Sequence, residues 1–408
     1  MFEFSPQAKM AEQVLRQFCE KEIRPVVRDL DEHRMPPYDL IRKLYDALGI
    51  RPMIRAQIEK MIERVENEGG GGELLGGGDP ASGGGIDPMM AQIVMKELCR
   101  YAPGLALSFG ASVGLCGGAL LRKGTPEQLR RYAIDVMTFD KIGAWALTEP
   151  GAGSDAFGSM KTTARRDGGD WILNGSKTFI TNAPYADVFV LYARVVGTGL
   201  DRDPIVAFIL ERGMEGLSTG EPMEKMGMRD SPTGEVFLDD CRVPRNALLG
   251  EKEDWGGHRD VKQNLSHERS GAPAMALGII ERCLEESVRY AKQRVQFGQP
   301  IADFQAVQHR IARMEIAREN VFNLVLKSAW LEKEGKMNAK FACAAKLYSS
   351  EAATQVAGDA IMIFGGNGYM KEYPVEKLAR DAKLLEIGAG VSEIQLSTIA
   401  RELYKMYD

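Results

Sequence analysis

The chain has 408 residues, 44% hydrophobic and 27% charged, with a formal net charge of -5. That length leaves room for two to three domains of roughly 100–200 residues each, and the apolar share supports packed cores rather than disorder. The mildly acidic balance argues against wrapping nucleic acid or lying on an anionic membrane, and no apolar run reaches the ~20 residues of a membrane helix.

The first predicted element is a helix capped by Ser5, with Pro6 at its first position. Met1 to Met10 lacks the basic flank and apolar stretch of a signal peptide. Helix almost from residue 1 points to a cytoplasmic protein, or to an already processed form such as one in an organelle matrix. Helix is expected over 5–50, from Val14, Leu15, Phe18, Ile23 and Val26 at three- and four-residue spacings, and again over 54–66. Residues 69–85 (GGGGELLGGGDPASGGG) are mostly glycine. Such a run costs too much backbone entropy for regular structure, so it reads as a tolerated surface insertion or a flexible lid.

Helical patterns resume from Asp87 to about Val136. From Ile142 to about Val243 the segments WILNG, TFITN, DVFVLYARV and PIVAFIL are short, rich in β-branched and aromatic residues, and separated by Gly, Pro, Asn and Asp, which predicts strands. From about Val261 long amphipathic helices return. An α, β, α order argues for three consecutive regions rather than an alternating parallel sheet. The boundaries fall at 1–140 (helical, with the Gly-rich insertion at about 52–83), 141–255 (β) and 256–408 (helical).

The six cysteines, Cys19, Cys99, Cys116, Cys241, Cys283 and Cys343, form no CxxC pair and read as buried free thiols of a reducing compartment. The four histidines, His33, His258, His267 and His309, show no metal-ligand spacing, so no bound metal is expected.

Chemistry enters at Leu147-Thr148-Glu149-Pro150-Gly151-Ala152-Gly153-Ser154-Asp155. Its glycines allow close backbone approach to a ligand. Thr148 and Ser154 offer hydroxyls and N–H groups to a polar ring edge or a phosphate. Alone, this is only a turn. It is followed, however, by Asn174-Gly175, by Lys177-Thr178-Phe179-Ile180-Thr181-Asn182, and by Lys225-Met226-Gly227-Met228-Arg229 with Ser231 and Thr233. Then come Arg294-Val295-Gln296-Phe297-Gly298 and Phe364-Gly365-Gly366-Asn367-Gly368-Tyr369.

In that order these motifs resemble the acyl-CoA dehydrogenase family, over nearly the whole chain except about 52–83. The resemblance implies an N-terminal all-α domain, a middle β-barrel domain and a C-terminal four-helix bundle. It implies FAD, an acyl-CoA substrate, an electron-transfer flavoprotein as acceptor, and a homotetramer built as a dimer of dimers. Trp145, Leu147, Thr148, Ser154, Phe179 and Thr181 would line the flavin, with Ser154 also reaching the CoA side. Arg294, Phe297, Gln305, Gly365 and Gly366 would meet the FAD of a neighbouring subunit, and Val391 and Glu393 would add cofactor contacts. An arginine suits a pyrophosphate because its planar donors fork onto two oxygens; the other reading of Arg294 is a solvated helix-end cation. Met362 stands where the family often carries Gln, and methionine donates no hydrogen bond.

The reaction needs a desolvated carboxylate beside the α-carbon, raised in pKa toward neutrality, and donors that grip the thioester oxygen. Many family members carry that glutamate in a Tyr-Glu-Gly-Thr segment. Here Ala389 takes its place within Glu386-Ile387-Gly388-Ala389-Gly390-Val391-Ser392-Glu393, leaving backbone N–H groups, with Gly390, on the substrate side. An isovaleryl-CoA dehydrogenase-like branch also reads Glu-Ile-Gly-Ala-Gly and draws its base from Leu-x-x-Glu-Arg. Leu265-Ser266-His267-Glu268-Arg269 matches, so Glu268 is the expected base, with Ser266 and Arg269 toward the acyl-CoA. The competing reading of Glu268 is a first-turn glutamate complementing a helix N-terminus, worth ~0.3–1 kcal/mol; Glu393 is the next candidate base.

Small residues at Gly388-Ala389 leave space for a branched or otherwise bulky short to medium acyl group. Trp255-Gly256-Gly257-His258-Arg259-Asp260 departs from the family's Gly-x-Gly-Phe. His258 and Arg259 read either as solvated loop residues or as partners of a second substrate carboxylate. The competing functions are a flavoprotein oxidase of the same superfamily and a non-catalytic FAD or acyl-CoA binding protein; Glu268 argues against the latter.

Overall fold

The structure, a computed structural model, describes residues 3–68, 87–253 and 257–407; of 68, 258–260, 262–264, 266 and 267 it describes the backbone alone. The Gly-rich run 69–85, Trp255 and Gly256 lie outside the described residues.

Helix α1 (Pro6–Phe18) starts as the sequence predicts, with Ser5 Oγ accepting the Ala8 N–H at 3.2 Å. The chain continues through a π-helical turn, Cys19–Ile23, into α2 (Val27–Asp31), α3 (Tyr38–Leu48) and α4 (Arg51–Glu68). Pro25 and the Pro36-Pro37 pair break the expected continuous helix, since proline removes a backbone donor and crowds the preceding turn. Leu15 and Ile23 are buried whereas Val14 is exposed. The stretch read as an insertion from about 52 is helical to Glu68 and buries Ile54, Ile58, Met61 and Ile62 at i, i+4 spacing. That apolar stripe is what holds α4 to the domain.

Helix α5 (Pro88–Cys99) is capped by Asp87. Then α6 (Pro103–Phe109), a π-helical segment over 110–117 and α7 (Gly118–Lys123) form one rod, followed by the short α8 (Pro126–Gln128) and α9 (Ile134–Met137). Contrary to the sequence expectation, this rod is long and apolar enough to cross a membrane by length and composition, the one such helix among the described residues. Interspersed glycines and serines disguised the run. Two-thirds of its most apolar window is buried in protein, and Ser112 Oγ accepts the Gly143 N–H at 2.8 Å, so it serves as a core helix.

The middle region is a curled seven-stranded sheet: β1 (Gly143–Ala146), β2 (Thr163–Asp167), β3 (Asp170–Thr181), β4 (Val188–Val195), β5 (Ile205–Glu211), β6 (Leu217–Thr219) and β7 (Thr233–Val243). WILNG and TFITN merge into the single strand β3, which keeps its pairing with β7 through two register irregularities, at Leu173/Gly175 and Lys177/Ile180. Such bulges bend a strand and re-aim its side chains. Both β1 and β2 run parallel to β4, against different parts of it, and β5 pairs β4 antiparallel.

The last region opens with α10 (Gly257–Gln293), a hairpin of β8 (Val295–Gln296) and β9 (Gln299–Pro300), then α11 (Gln305–Lys333), α12 (Ala339–Phe364), α13 (Pro374–Ile387) and α14 (Ser392–Tyr407). Because α10 begins at Gly257, Glu268 sits about three turns inside it. This overturns the reading of Glu268 as a first-turn residue, because the helix-end field fades within one turn.

The Lys225–Arg229 motif locks the three regions together. Beside it, the Asp230 carboxylate accepts the Leu105 N–H at 2.9 Å and Lys377 Nζ at 3.2 Å, while Lys377 also donates to Asp381 at 2.6 Å. Gly227 lies so close to the α13 backbone at Arg380 that any Cβ would overlap it. All six cysteines are buried and free.

Candidate active site

Strand β1 leads into the 147–155 turn, which Glu149 and Ala152 close by exchanging backbone hydrogen bonds of 3.2 and 3.0 Å. Beneath it lies a buried ion pair. Glu149 accepts Lys177 Nζ at 2.8 Å, the Lys161 N–H at 2.6 Å and the Thr162 N–H at 2.9 Å, and Lys177 also donates to the Leu147 carbonyl at 3.1 Å. Burial works to raise the Glu149 carboxyl, but Lys177 and these donors outweigh it and hold it below the ordinary carboxylate value. Burial pulls Lys177 down to about 8, with Glu149 opposing.

Just past Lys177 the β3 bulge places Phe179 at φ 56°, with its ring 68% exposed. The Thr178 N–H donates to the Thr148 carbonyl at 2.9 Å, so turn and bulge share one corner. Asn182, at φ 70°, steadies it by donating to the carbonyls of Ser108 (2.9 Å) and Gly143 (3.0 Å). Leu147 is buried, Trp145, Thr148 and Thr181 are partly buried, and Ser154 is exposed on the turn.

A second patch lies at one end of the helical bundle. The turn between β8 and β9 uses Phe297 at φ 51° and Gly298 at φ 81°, the left-handed pair that a two-residue hairpin requires. The Phe297 ring is 93% exposed. Tyr290 joins this hairpin to the 365–366 turn: its ring stacks on Phe364 at 4.1 Å and its carbonyl accepts the Arg294 N–H at 2.8 Å. Arg294, Gln305, Gly365, Gly366 and Met362 are all exposed here. A Cβ on Gly365 or Gly366 would meet nothing within 4 Å, so the backbone is open to a ligand. Among the described residues no hydrogen bond joins this patch to the turn–bulge corner.

The third element is the corner around Glu268. Burial pushes the Glu268 carboxyl up to about 7, against the pull of Arg269 and Lys346. Opposite it, the bend after α13 holds Ala389 at φ 54° and Gly390 at φ 97°. Arg269 Nε donates to the Ala389 carbonyl at 3.0 Å. Gln395 Nε2 donates to the carbonyls of Ala389 (3.2 Å) and Gly390 (2.8 Å), and buried Lys346 donates to Gly390 at 2.8 Å and to Glu386 at 3.4 Å. Arg269, Lys346, Gln395, Ala389 and Gly390 therefore meet, and the charges of Arg269 and Lys346 reach Glu268. Val391 is partly buried beside them, and Glu393 is exposed in the first turn of α14 with no bond into the corner among the described residues. The side chains of Ser266, His258 and Arg259 lie outside the described residues.

The sequence reading missed Lys346, Gln395 and the Glu149–Lys177 pairing. One signal was available: Lys346 lies on the stripe of Ala342, Cys343, Ala345, Ser349 and Ala353, all buried. A lysine where helical period demands a small or apolar side chain needs a reason.

The turn–bulge corner fits a flat heteroaromatic cofactor. Trp145 Nε1 is a buried donor without a partner among the described residues, Phe179 presents its ring from a constrained backbone, and the second patch offers bare glycine backbone with Arg294 for a charged tail. A helical domain, a curled sheet and a helical bundle carrying such a corner together define a flavoenzyme of the acyl-CoA-oxidising type. The chain matches the acyl-CoA dehydrogenase N-terminal domain over residues 73–140, the middle domain over 144–241 and the C-terminal domain over 256–404. It is 42% identical over 313 residues to the mitochondrial isovaleryl-CoA dehydrogenase of Arabidopsis thaliana, covering 77% of this chain and 76% of that one. It superposes on the butyryl-CoA dehydrogenase of Megasphaera elsdenii with a TM-score of 0.86 at 34% identity, covering 99% and 100% of the two chains. A structure reported with the electron transferring flavoprotein of Acidaminococcus fermentans gives a TM-score of 0.83 at 34% identity, covering 99% of each chain. This chain belongs to the acyl-CoA dehydrogenase family; it is an acyl-CoA dehydrogenase whose cofactor is FAD.

Proposed function

We propose that the enzyme oxidises a branched or otherwise bulky short to medium acyl-CoA to the 2,3-enoyl-CoA, with Glu268 as the base, and passes the electrons to an electron-transfer flavoprotein. The observation that carries this reading is the pairing of Ala389, which has no proton-accepting group, with Glu268, whose carboxyl is raised to about 7 at the same corner. A base near neutrality is half ionised at working pH yet still basic enough to take a weakly acidic α-proton. The free N–H groups at Ala389 and Gly390 are the candidates for the thioester oxygen, and the nearby cations Arg269 and Lys346 favour the negative charge that grows on it. Bound FAD supplies the hydride acceptor. Trp145, Thr148, Phe179 and Thr181 would hold its ring, and Arg294, Phe297, Gln305, Gly365 and Gly366 of a neighbouring copy would hold its tail, which needs at least a dimer; the family resemblance supports a homotetramer.

The test is an anaerobic panel of acyl-CoA thioesters watched by flavin absorbance, with Glu268→Ala alongside. The proposal expects bleaching by branched short acyl chains and a yellow, unbleachable variant; a variant that bleaches like the parent refutes it. Adding a dicarboxylic thioester and its uncharged isostere tests the Arg259–His258 reading, which equal rates would end. Oxygen uptake coupled to turnover would instead identify an oxidase.

A further inference from the structure

We infer that Lys346 is a positioning residue for the thioester grip: it pins the Glu386 and Gly390 carbonyls and, with Arg269 and Gln395, holds the bend so that the Gly390 and Val391 N–H groups stay presented to substrate. The inference rests on the proposed roles of Glu268 and of the Ala389–Gly390 backbone.

Three observations carry it. First, Lys346 is buried on α12 with 1% of its side chain exposed, yet it donates to the carbonyls of Gly390 at 2.8 Å and Glu386 at 3.4 Å, four residues apart. Second, a trans peptide points its C=O and N–H in opposite directions. With the Ala389 carbonyl held by Arg269 and Gln395, the Gly390 N–H is turned the other way. With the Gly390 carbonyl held by Lys346 and Gln395, so is the Val391 N–H. Among the described residues the N–H groups of Ala389, Gly390 and Val391 donate to no protein acceptor. Third, the bend is conformationally expensive at Ala389, which sits at φ 54°, where a non-glycine residue persists only if its surroundings over-determine it.

The bland alternative is a helix cap. A cation at the C-terminus of α13 satisfies an orphan carbonyl and complements the helix dipole. A cap alone would be satisfied by the Glu386 contact; the shorter bond to Gly390, beyond the helix end, is what points to the bend. Charged and titratable groups around Lys346 are Arg269, Glu268, Glu386 and Cys343. Burial and Arg269 pull it down to about 8, so the fold retains a cation here against its desolvation cost.

The experiment uses the FAD-loaded full chain and a 3-thia-acyl-CoA. With sulfur at the β position no hydride can leave, yet the α-proton can still be taken and returned. Exchange of that proton in D2O is followed by NMR, and affinity by the flavin absorbance shift. In Lys346→Met, exchange should slow about 10- to 100-fold, somewhat less than the loss of a whole oxyanion donor, while ligand affinity changes less than about threefold and FAD stays bound. Gln395→Leu removes the other donor to the same carbonyls and should slow exchange by a smaller factor, which keeps the test open if Lys346→Met does not fold. Unchanged exchange in either variant overturns the inference. So does a parallel fall of exchange, affinity and thermal midpoint, which marks a cap and nothing more. A wild type that exchanges no proton, or a Glu268→Gln that exchanges as fast as wild type, overturns the base assignment as well.

Discussion

Two glutamates, one under the 147–155 turn and one on α10, each lie near a buried lysine, and they have opposite fates. Glu149 receives Lys177 and two backbone N–H groups, and its carboxyl is held below the ordinary value. Glu268 has the cations Arg269 and Lys346 nearby, yet no hydrogen bond from the described residues supports its charged form and its carboxyl rises to about 7. The lysines differ in the same way: Lys177 spends its bonds on its glutamate and on Leu147, Lys346 on the bend. Burial works to raise both carboxyls; at Glu149 hydrogen bonds to the charged form offset it, and at Glu268 it prevails, which separates a carboxylate used as a brace from one used as a reagent.

The largest effect should come from removing the reagent. Glu268→Gln is expected to lower kcat/KM by about 10²- to 10⁴-fold with FAD retained and no loss of thermal stability near pH 7; a drop within threefold would erase the contrast between the two glutamates. Next is the brace. Glu149→Gln leaves Lys177 buried without its counter-charge and should cost about 3–5 kcal/mol, measured by denaturant unfolding, with faster FAD loss. The double change Glu149→Leu with Lys177→Met should recover most of that stability, although the turn's backbone donors then lose their acceptor; failure to recover would mean that Glu149 matters through Lys161 and Thr162 rather than through its ion pair.

pH sharpens the same comparison. A base at about 7 should make kcat/KM climb roughly tenfold per pH unit below 7 and level off above it. The two carboxyls should also act oppositely on stability. Glu268, raised above its unfolded value of about 4.5, contributes stability that is full below that value and is lost as pH rises through about 7. Glu149, lowered, contributes stability present above 4.5 and lost as pH falls through its folded value. Comparing unfolding-versus-pH curves of wild type, Glu268→Gln and Glu149→Gln checks both signs. The smallest effect should be Phe297→Ala: with a ring 93% exposed, folding stability should move by no more than about 0.5 kcal/mol. FAD retention on dilution should nevertheless fall, and unchanged retention would remove Phe297 from the cofactor site.

Much of this protein is written locally. The Ser5-Pro6 helix start, the strand segments at 188–195 and 205–211, the buried cysteines and the three-region order follow from caps, periodicity and composition, all of which act between near neighbours in the chain. The resemblance carried by the turn, hairpin and Glu-Ile-Gly-Ala-Gly motifs added the family, FAD and a reason to look at Glu268. What the chain order concealed is everything that depends on residues far apart meeting. Glu149 and Lys177 become a brace only when β3 folds back under the turn. The apolar rod at 103–123 became recognisable as a core helix only by what covers it. The start of α10 at Gly257 moved Glu268 from a helix end to a helix interior. Lys346 acquires its partners only when α12, α10 and the bend after α13 come together. Sequence fixes what each side chain can donate, accept or ionise; the fold alone decides which of those capacities is satisfied, and the unsatisfied ones are left for chemistry.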